Sequence, residues 1–202
     1  MRALLRDNAN RFCFGPDAPK FAERIWVNPF DCTVCLTGLS NRYTGKVVGD
    51  PWPPKGGTIR EFSDSFKLQA CFEHWKKGIL WEETGIYDRL LQRIKADPRG
   101  RFDDCSNIED IQKRYKKLDD LFNESKKKGY YPEIKPSNNN WAFREYDGIT
   151  IHIGPDGRLY FGGNGTHRFA LALVLQLTRI PAMLGCVHIN ALPLLPSYRE
   201  KE

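Results

Sequence analysis

The sequence predicts an α+β fold on three observations: helical apolar periodicity between residues 63 and 129, a hairpin pattern from Ile149 to Phe161, and an apolar strand-like segment, Ile180 to Ile189, after a helix that is apolar on nearly every face. At 202 residues the chain is long enough for one good-sized domain with a buried core. Apolar residues make up 41% of it and charged residues 28%, a balance that suits a globular chain rather than a disordered one.

Residues 1–60 lack sustained periodicity and carry turn formers at Gly15-Pro16, Asn28-Pro29, Gly49-Asp50-Pro51 and Pro53 to Gly57. This stretch is expected to be loop-rich, with short strands at Arg24 to Val27 and Lys46 to Val48. The pattern turns helical at Phe66 to Trp75, and again through Ile86, Leu90, Leu91 and Ile94, closed by Pro98 and Gly100. In the clearest helix Ser106 and Glu109 form a capping-box pattern, and Ile108, Ile111, Tyr115, Leu118, Leu121 and Phe122 make one stripe. Lys126, Lys127 and Lys128 suit the negative end of its dipole, and Gly129 supplies the stop. Ile149, Ile151 and Ile153 alternate with other residues as a half-buried strand would, Gly154 to Gly157 reads as a turn, and Arg158 to Phe161 returns. A glycine turn follows, then a buried helix from Thr166 to Leu177 and a last strand with Pro181 near its start.

No segment approaches the roughly 20 apolar residues that cross a bilayer, the longest candidate being Phe169 to Leu177, so no membrane partner is expected. Met1 to Arg6 is too short an apolar stretch for a signal peptide, and the expected location is cytoplasmic. Cysteines at 13, 32, 35, 71, 105 and 186 do not form a disulfide framework and read as reduced thiols. A net charge of +6 suits a phosphate-bearing partner without demanding one.

The chemistry concentrates in Phe161-Gly-Gly-Asn-Gly-Thr-His-Arg168. A helix N-terminus presents unpartnered N–H groups and the positive end of the dipole, and glycines before it let the backbone approach an anion closely. Gly162, Gly163, Asn164 and Gly165 stand in that place; Thr166 caps the helix or donates its hydroxyl, Arg168 offers a forked pair to phosphate oxygens, and His167 donates, moves a proton or orients a neighbour. The plainer alternative is a tight turn with a Thr cap.

Leu159-Tyr-Phe161 running into Gly165-Thr-His-Arg168, then a helix with Ala170 and Ala172 and a strand opening at Ile180-Pro181, resembles the ParB and sulfiredoxin-like superfamily over roughly 70 residues. The helix ending Lys126-Lys-Lys-Gly-Tyr130 is similar to the one before that superfamily's first core strand. Residues 45–95, with Gly49-Asp50-Pro-Trp52 and Trp81-Glu-Glu-Thr84, are similar to microbial proteins carrying this domain at their C-terminus, a likeness that implies no activity. The resemblance implies a small mixed sheet with helices over residues 106–195, a loop-rich then helical extension over 1–105 and a tail over 196–202, with nucleotide phosphates held at Gly162 to Arg168.

Such proteins reduce sulfinic acids, phosphorylate serine or clamp DNA with CTP. The first chemistry needs a cysteine where this chain has Thr166, and the third a helix-turn-helix region, whereas about 13 residues follow Ile189. The expectation that remains is phosphoryl transfer from ATP or ADP, with Mg²⁺, to a small hydroxyl-bearing acceptor. His167, Asp50 and Glu61 are its candidate catalytic residues, with Glu145 and Asp147 as further carboxylates. The competing class is a nucleotide- or DNA-binding module without turnover; Lys113 to Lys117 and Lys126 to Lys128 with Tyr130 and Tyr131 would be its DNA surface, although a solvated helix face explains them too. Nuclease activity would need a carboxylate cluster that the sequence does not display. Cys32-Thr-Val-Cys35 has the spacing of half a zinc site but no second pair, so no metal site is expected. The five tryptophans, Trp26, Trp52, Trp75, Trp81 and Trp141, are expected in the core or in pocket walls.

Overall fold

A computed structural model describes residues 2–129, 144 and 148–199 and shows a mixed α+β architecture. In chain order the elements are α1 (Arg2–Phe14), β1 (Arg24–Val27), β2 (Cys32–Thr37), β3 (Val47–Val48), β4 (Thr58–Glu61), α2 (Phe66–Lys77), α3 (Ile86–Ala96), α4 (Ile108–Lys128), β5 (Thr150–Ile153), β6 (Leu159–Phe161), α5 (Thr166–Val174), β7 (Ile180–His188) and α6 (Leu195–Arg199).

The strands form one mixed sheet in the order β1-β7-β5-β6-β2-β4, with β3 also paired to β7. The expected hairpin is present: β5 and β6 are antiparallel, with His152 opposite Tyr160. Around it, β5 runs parallel to β7 and β6 parallel to β2. Strands β1 to β4, all from the first 61 residues, therefore share the sheet with the segment that carries the glycine turn. The boundary expected near residue 105 does not divide the sheet, because β7 needs β1 and β3 along its free edge and β6 needs β2.

One sheet face carries the main core, in which Ile151, Ile153, Phe161 and Leu184 join Leu68, Leu90, Ile111 and Phe169. Phe161 stacks on Phe169 with centroids 4.3 Å apart, which ties the strand entering the glycine turn to the helix leaving it. Burying Phe169 completely contributes about 2 kcal/mol or more to holding that strand–helix pair. The other face has a smaller cluster of Val34, Leu36 and Tyr160 with Leu39 and Trp52.

Four sequence expectations need correction. Helix α1 was not expected, because polar pins rather than an apolar stripe hold it: buried Asn10 donates to Pro19 O and Gly45 O, and Asp7 accepts from Phe21 N–H. Strand β4 is exposed at all four positions, so it has no alternation to read, and its partner β2 was read only as a cysteine pair. Strand β5 is buried on both faces rather than one, with Thr150 and His152 covered as fully as the isoleucines. The N-cap of α4 is Asn107, whose side chain accepts from Asp110 N–H, while the Asp110 carboxylate accepts from Ser106 N–H, one residue along from the expected box. The three lysines at its end precede Gly129 in the left-handed region, as the sequence indicates.

Candidate functional site

The glycine turn joins β6 to α5. Gly162 N–H donates to Thr150 O at 2.7 Å, which continues the hairpin ladder, and the chain then turns through Gly163 and Gly165, at φ +86° and +71°. Gly165 is the N-cap of α5, so no side chain caps this helix. Thr166 instead donates its hydroxyl back to Gly163 O at 2.7 Å and locks the turn, a role the sequence reading did not separate from capping. The N–H groups of the first helical turn have no intrahelical acceptor, and the positive end of the dipole faces the same way.

This turn forms one wall of a cleft of about 550 Å³. The opposing walls come from Lys67 on α2, Asp103 and Asp104 on the loop before α4, and Arg114, Leu118 and Leu121 on α4, with Asn41 at one side. The exposed Asn164 amide donates to Asn41 Oδ1 at 3.4 Å. Asp103 and Asp104 both lie at positive φ, 57° and 62°, a conformation non-glycine residues seldom adopt and aspartate tolerates best. That backbone turns the Asp103 carboxylate to Lys67 Nζ at 2.8 Å and Arg114 Nη2 at 3.3 Å, while Arg114 Nη1 donates to the Asp103 carbonyl at 2.9 Å. Burial opposes the charge on Asp103, but Lys67 and Arg114 together outweigh it and hold the carboxyl below its usual range. Asp104 is 93% exposed and 4.0 Å from Arg114. The cleft thus collects three cations, Lys67, Arg114 and Arg168, against two carboxylates, one of them held by two of the cations.

His167 is among the residues that line the cleft, but it is almost wholly covered. It is 6% exposed, and its Nε2 is 3.1 Å from the hydroxyl of Tyr115, which is fully buried. Burial, then Lys67, and also Arg114 and Arg168, push the imidazole down to about 3, with Asp103 opposing them. A histidine this far below neutrality does not titrate as a general acid near pH 7. His152, on the second face of the sheet, is likewise pushed down to about 4 by burial, and its Nδ1 accepts from Cys186 N–H at 2.9 Å.

These histidines make a pH prediction. Both folded values lie below the ordinary 6.5, so the unfolded chain binds protons first as pH falls. Stability present above pH 6.5 is therefore lost from about 6.5 down towards 4 and 3, at about 1.4 kcal/mol per pH unit for each group. Denaturant midpoints measured between pH 7 and about 4.5 should fall steadily; a flat profile would contradict the burial of both rings.

The other candidate residues lie elsewhere. Asp50 is exposed on the loop after β3, 3.5 Å from Nε2 of the buried His188, and Glu61 ends the exposed edge strand β4 opposite Val34. Neither lines the cleft, whose carboxylates are Asp103 and Asp104. Glu145, Asp147, Tyr130, Tyr131 and Trp141 lie outside the described residues. Cys32 and Cys35 are buried in β2, and burial, then nearby carboxylates for each, pushes them up to about 12 and about 11, which keeps both as uncharged thiols. Among the described residues no group of three or more His, Cys, Asp or Glu is arranged to hold a metal ion. Trp75 and Trp81 serve the core by donating to Asp119, at 2.8 and 2.9 Å. Among the described residues no helix is long and apolar enough to cross a membrane.

Lys67 and Asp103 carry no signal in the sequence as site residues, while Arg114 and Tyr115 stand out there only as members of the basic run Lys113 to Lys117 and, for Tyr115, as the one hydroxyl-bearing member of an otherwise hydrocarbon stripe. Compared with models of protein families, with curated proteins and with solved structures, the chain matches none.

Proposed function

We propose that this chain binds a nucleotide, ATP or ADP, with its phosphates at the Gly163 to Arg168 turn, and transfers a phosphoryl group to a small hydroxyl-bearing acceptor. The observation that carries the reading is the meeting, in one cleft, of a glycine-framed helix N-terminus with Lys67, Arg114 and Arg168. Backbone N–H groups and cations on several sides are what a polyphosphate requires, and phosphoryl transfer asks the protein mainly for positioning and charge neutralisation. The resemblance of Gly165-Thr-His-Arg168 and its flanking elements to the ParB and sulfiredoxin-like superfamily supports the same assignment.

The residues fit a Mg²⁺ carried in on the phosphates, which needs only one or two protein carboxylates. Asp104 would hold it, and the ion would offset phosphate charge. Leu118 and Leu121 supply an apolar wall for the sugar or base. A second reading, a nucleotide- or DNA-binding module without turnover, is favoured by the buried neutral His167 and the ion-paired Asp103, which leave Asp104 to receive the acceptor's proton.

Thermal unfolding against a nucleotide series, with and without Mg²⁺, tests binding. At 100 times Kd, ATP or ADP should stabilise the fold by about 2.7 kcal/mol, a rise in Tm of about 5–10 °C for a chain of this size. No shift with any nucleotide removes the proposal. Asp104→Asn then divides the two readings: a phosphotransferase should lose ATP consumption while keeping the shift seen without Mg²⁺, whereas a module without turnover consumes no ATP in either form.

A further inference from the structure

We infer that Tyr115 fixes His167 as the neutral tautomer protonated on Nδ1, so that the ring offers the cleft a hydrogen-bond donor and no base. The functional consequence rests on the nucleotide reading above; the tautomer does not.

A buried phenol O–H must find an acceptor. Tyr115 has no exposed surface, and its hydroxyl meets His167 Nε2 at 3.1 Å. Burial first, then Cys71 and Asp103, push the phenol well above its ordinary value, so it keeps its proton. Trp81 and Tyr87 meet the Tyr115 ring edge-on, with centroids 4.7 and 5.6 Å away, and neither is hydrogen-bonded to its hydroxyl. If Nε2 carried the proton, it would donate to the phenol oxygen and leave the buried phenol hydrogen without an acceptor among the described residues; with Nε2 accepting instead, that hydrogen is satisfied and the one proton of the neutral ring sits on Nδ1.

The arrangement is braced from behind. Trp81, packed on Tyr115, donates to an Asp119 carboxylate that also accepts from Trp75 and lies 3.2 Å from His74 Nε2. The phenol is therefore held in place, and with it the ring of His167. With Nε2 engaged by Tyr115, Nδ1–H is the ring donor left to His167, which is among the residues that line the cleft. That donor joins the backbone N–H groups and Arg168 on one wall, which is thereby rich in donors. Such a wall suits an ionised phosphate, which only accepts, and cannot deprotonate a hydroxyl. Tyr115 is thus a positioning residue: it touches no ligand and acts through the proton it assigns to His167.

Long-range ¹H–¹⁵N correlation spectra of the histidine rings in the full chain test this directly, with His167→Asn identifying the signal. Nδ1 should be protonated and Nε2 bare, without change from about pH 8 to 5. Protonated Nε2, or a charged ring at pH 7, overturns the inference whether or not nucleotide binds. In Tyr115→Phe, Nε2 loses its donor; the ring should shift towards Nε2–H and ATP affinity should fall about tenfold, the loss of one hydrogen bond to a charged group. An unchanged ring in that variant also overturns the inference. Should the variant not fold, the wild-type spectrum decides alone. The assigned tautomer in a chain that binds no nucleotide upholds the role of Tyr115 and removes only the nucleotide reading.

Discussion

Replacing Gly165 with alanine is expected to lower stability by about 3 kcal/mol and to abolish nucleotide binding. The residue sits at φ +71°, where a Cβ costs about 1–2 kcal/mol. That Cβ would also lie 2.9 Å from Cα and 3.0 Å from N of Ile149, backbone atoms entering the central strand that cannot move aside as a flexible side chain would. Relief would come only by pushing the turn away from β5, and with it the first N–H groups of α5. Gly163→Ala is the internal comparison: φ is +86°, but the nearest atom is the Thr37 Cγ2 methyl at 3.6 Å, so only the conformational cost applies. In thermal unfolding Gly165→Ala should fall by about 6–12 °C and Gly163→Ala by about half of that. Equal losses in the two variants, or a Gly165→Ala protein within about 2 °C of the parent, would show that the close approach to Ile149 does not shape the turn.

The parts of this fold that were legible are those whose burial is periodic. The stripe from Ile108 to Phe122 and the run Ile86, Leu90, Ile94 announced their helices because one face alone packs against the core. Helix α1 and strand β4 lie on the surface, where polar pins and sheet edges replace periodicity, and short-range patterns carry no record of them. Strand β2 is obscured differently: it is buried at most positions, so it shows no alternation, and its two cysteines have the spacing of a metal-binding pair.

At the site, the turn was legible because everything that makes it is local: three glycines, a threonine and the start of an apolar helix. Its surroundings were not, because Lys67, Asp103 and Arg114 arrive from α2, a loop and α4, and nothing in a single sequence links residues 36 or 65 positions apart. Polar identity alone does not place a residue. His167, Asp50 and Glu61 stand out in the sequence for the chemistry their side chains can do; in the fold His167 is covered by Tyr115, and Asp50 and Glu61 are exposed and do not line the cleft. Residue type states what a group can do, while its environment decides whether it does it.

Asp103→Asn should separate stability from binding with opposite signs. Asparagine keeps the size of the side chain and its tolerance of positive φ but removes the negative charge shared by Lys67 and Arg114. Two partly buried ion pairs are lost, so the folded state should weaken by about 1–3 kcal/mol. The carboxyl is held below its ordinary 3.8, and the stability it supplies is therefore fully present above that value and lost as pH falls through the lower folded one; the variant should lack this component of its acid unfolding. Binding should move the other way. An incoming phosphate must share its cations with a carboxylate in the same cleft, and at the effective dielectric of such a site a charge about 6 Å away costs a few kcal/mol at most. Removing it should tighten ATP about tenfold at low salt, with the gain shrinking as ionic strength rises. Calorimetric titration of both proteins at two salt concentrations measures this. Weaker binding by a folded Asp103→Asn protein would mean that the carboxylate organises Lys67 and Arg114 for the ligand rather than competing with it.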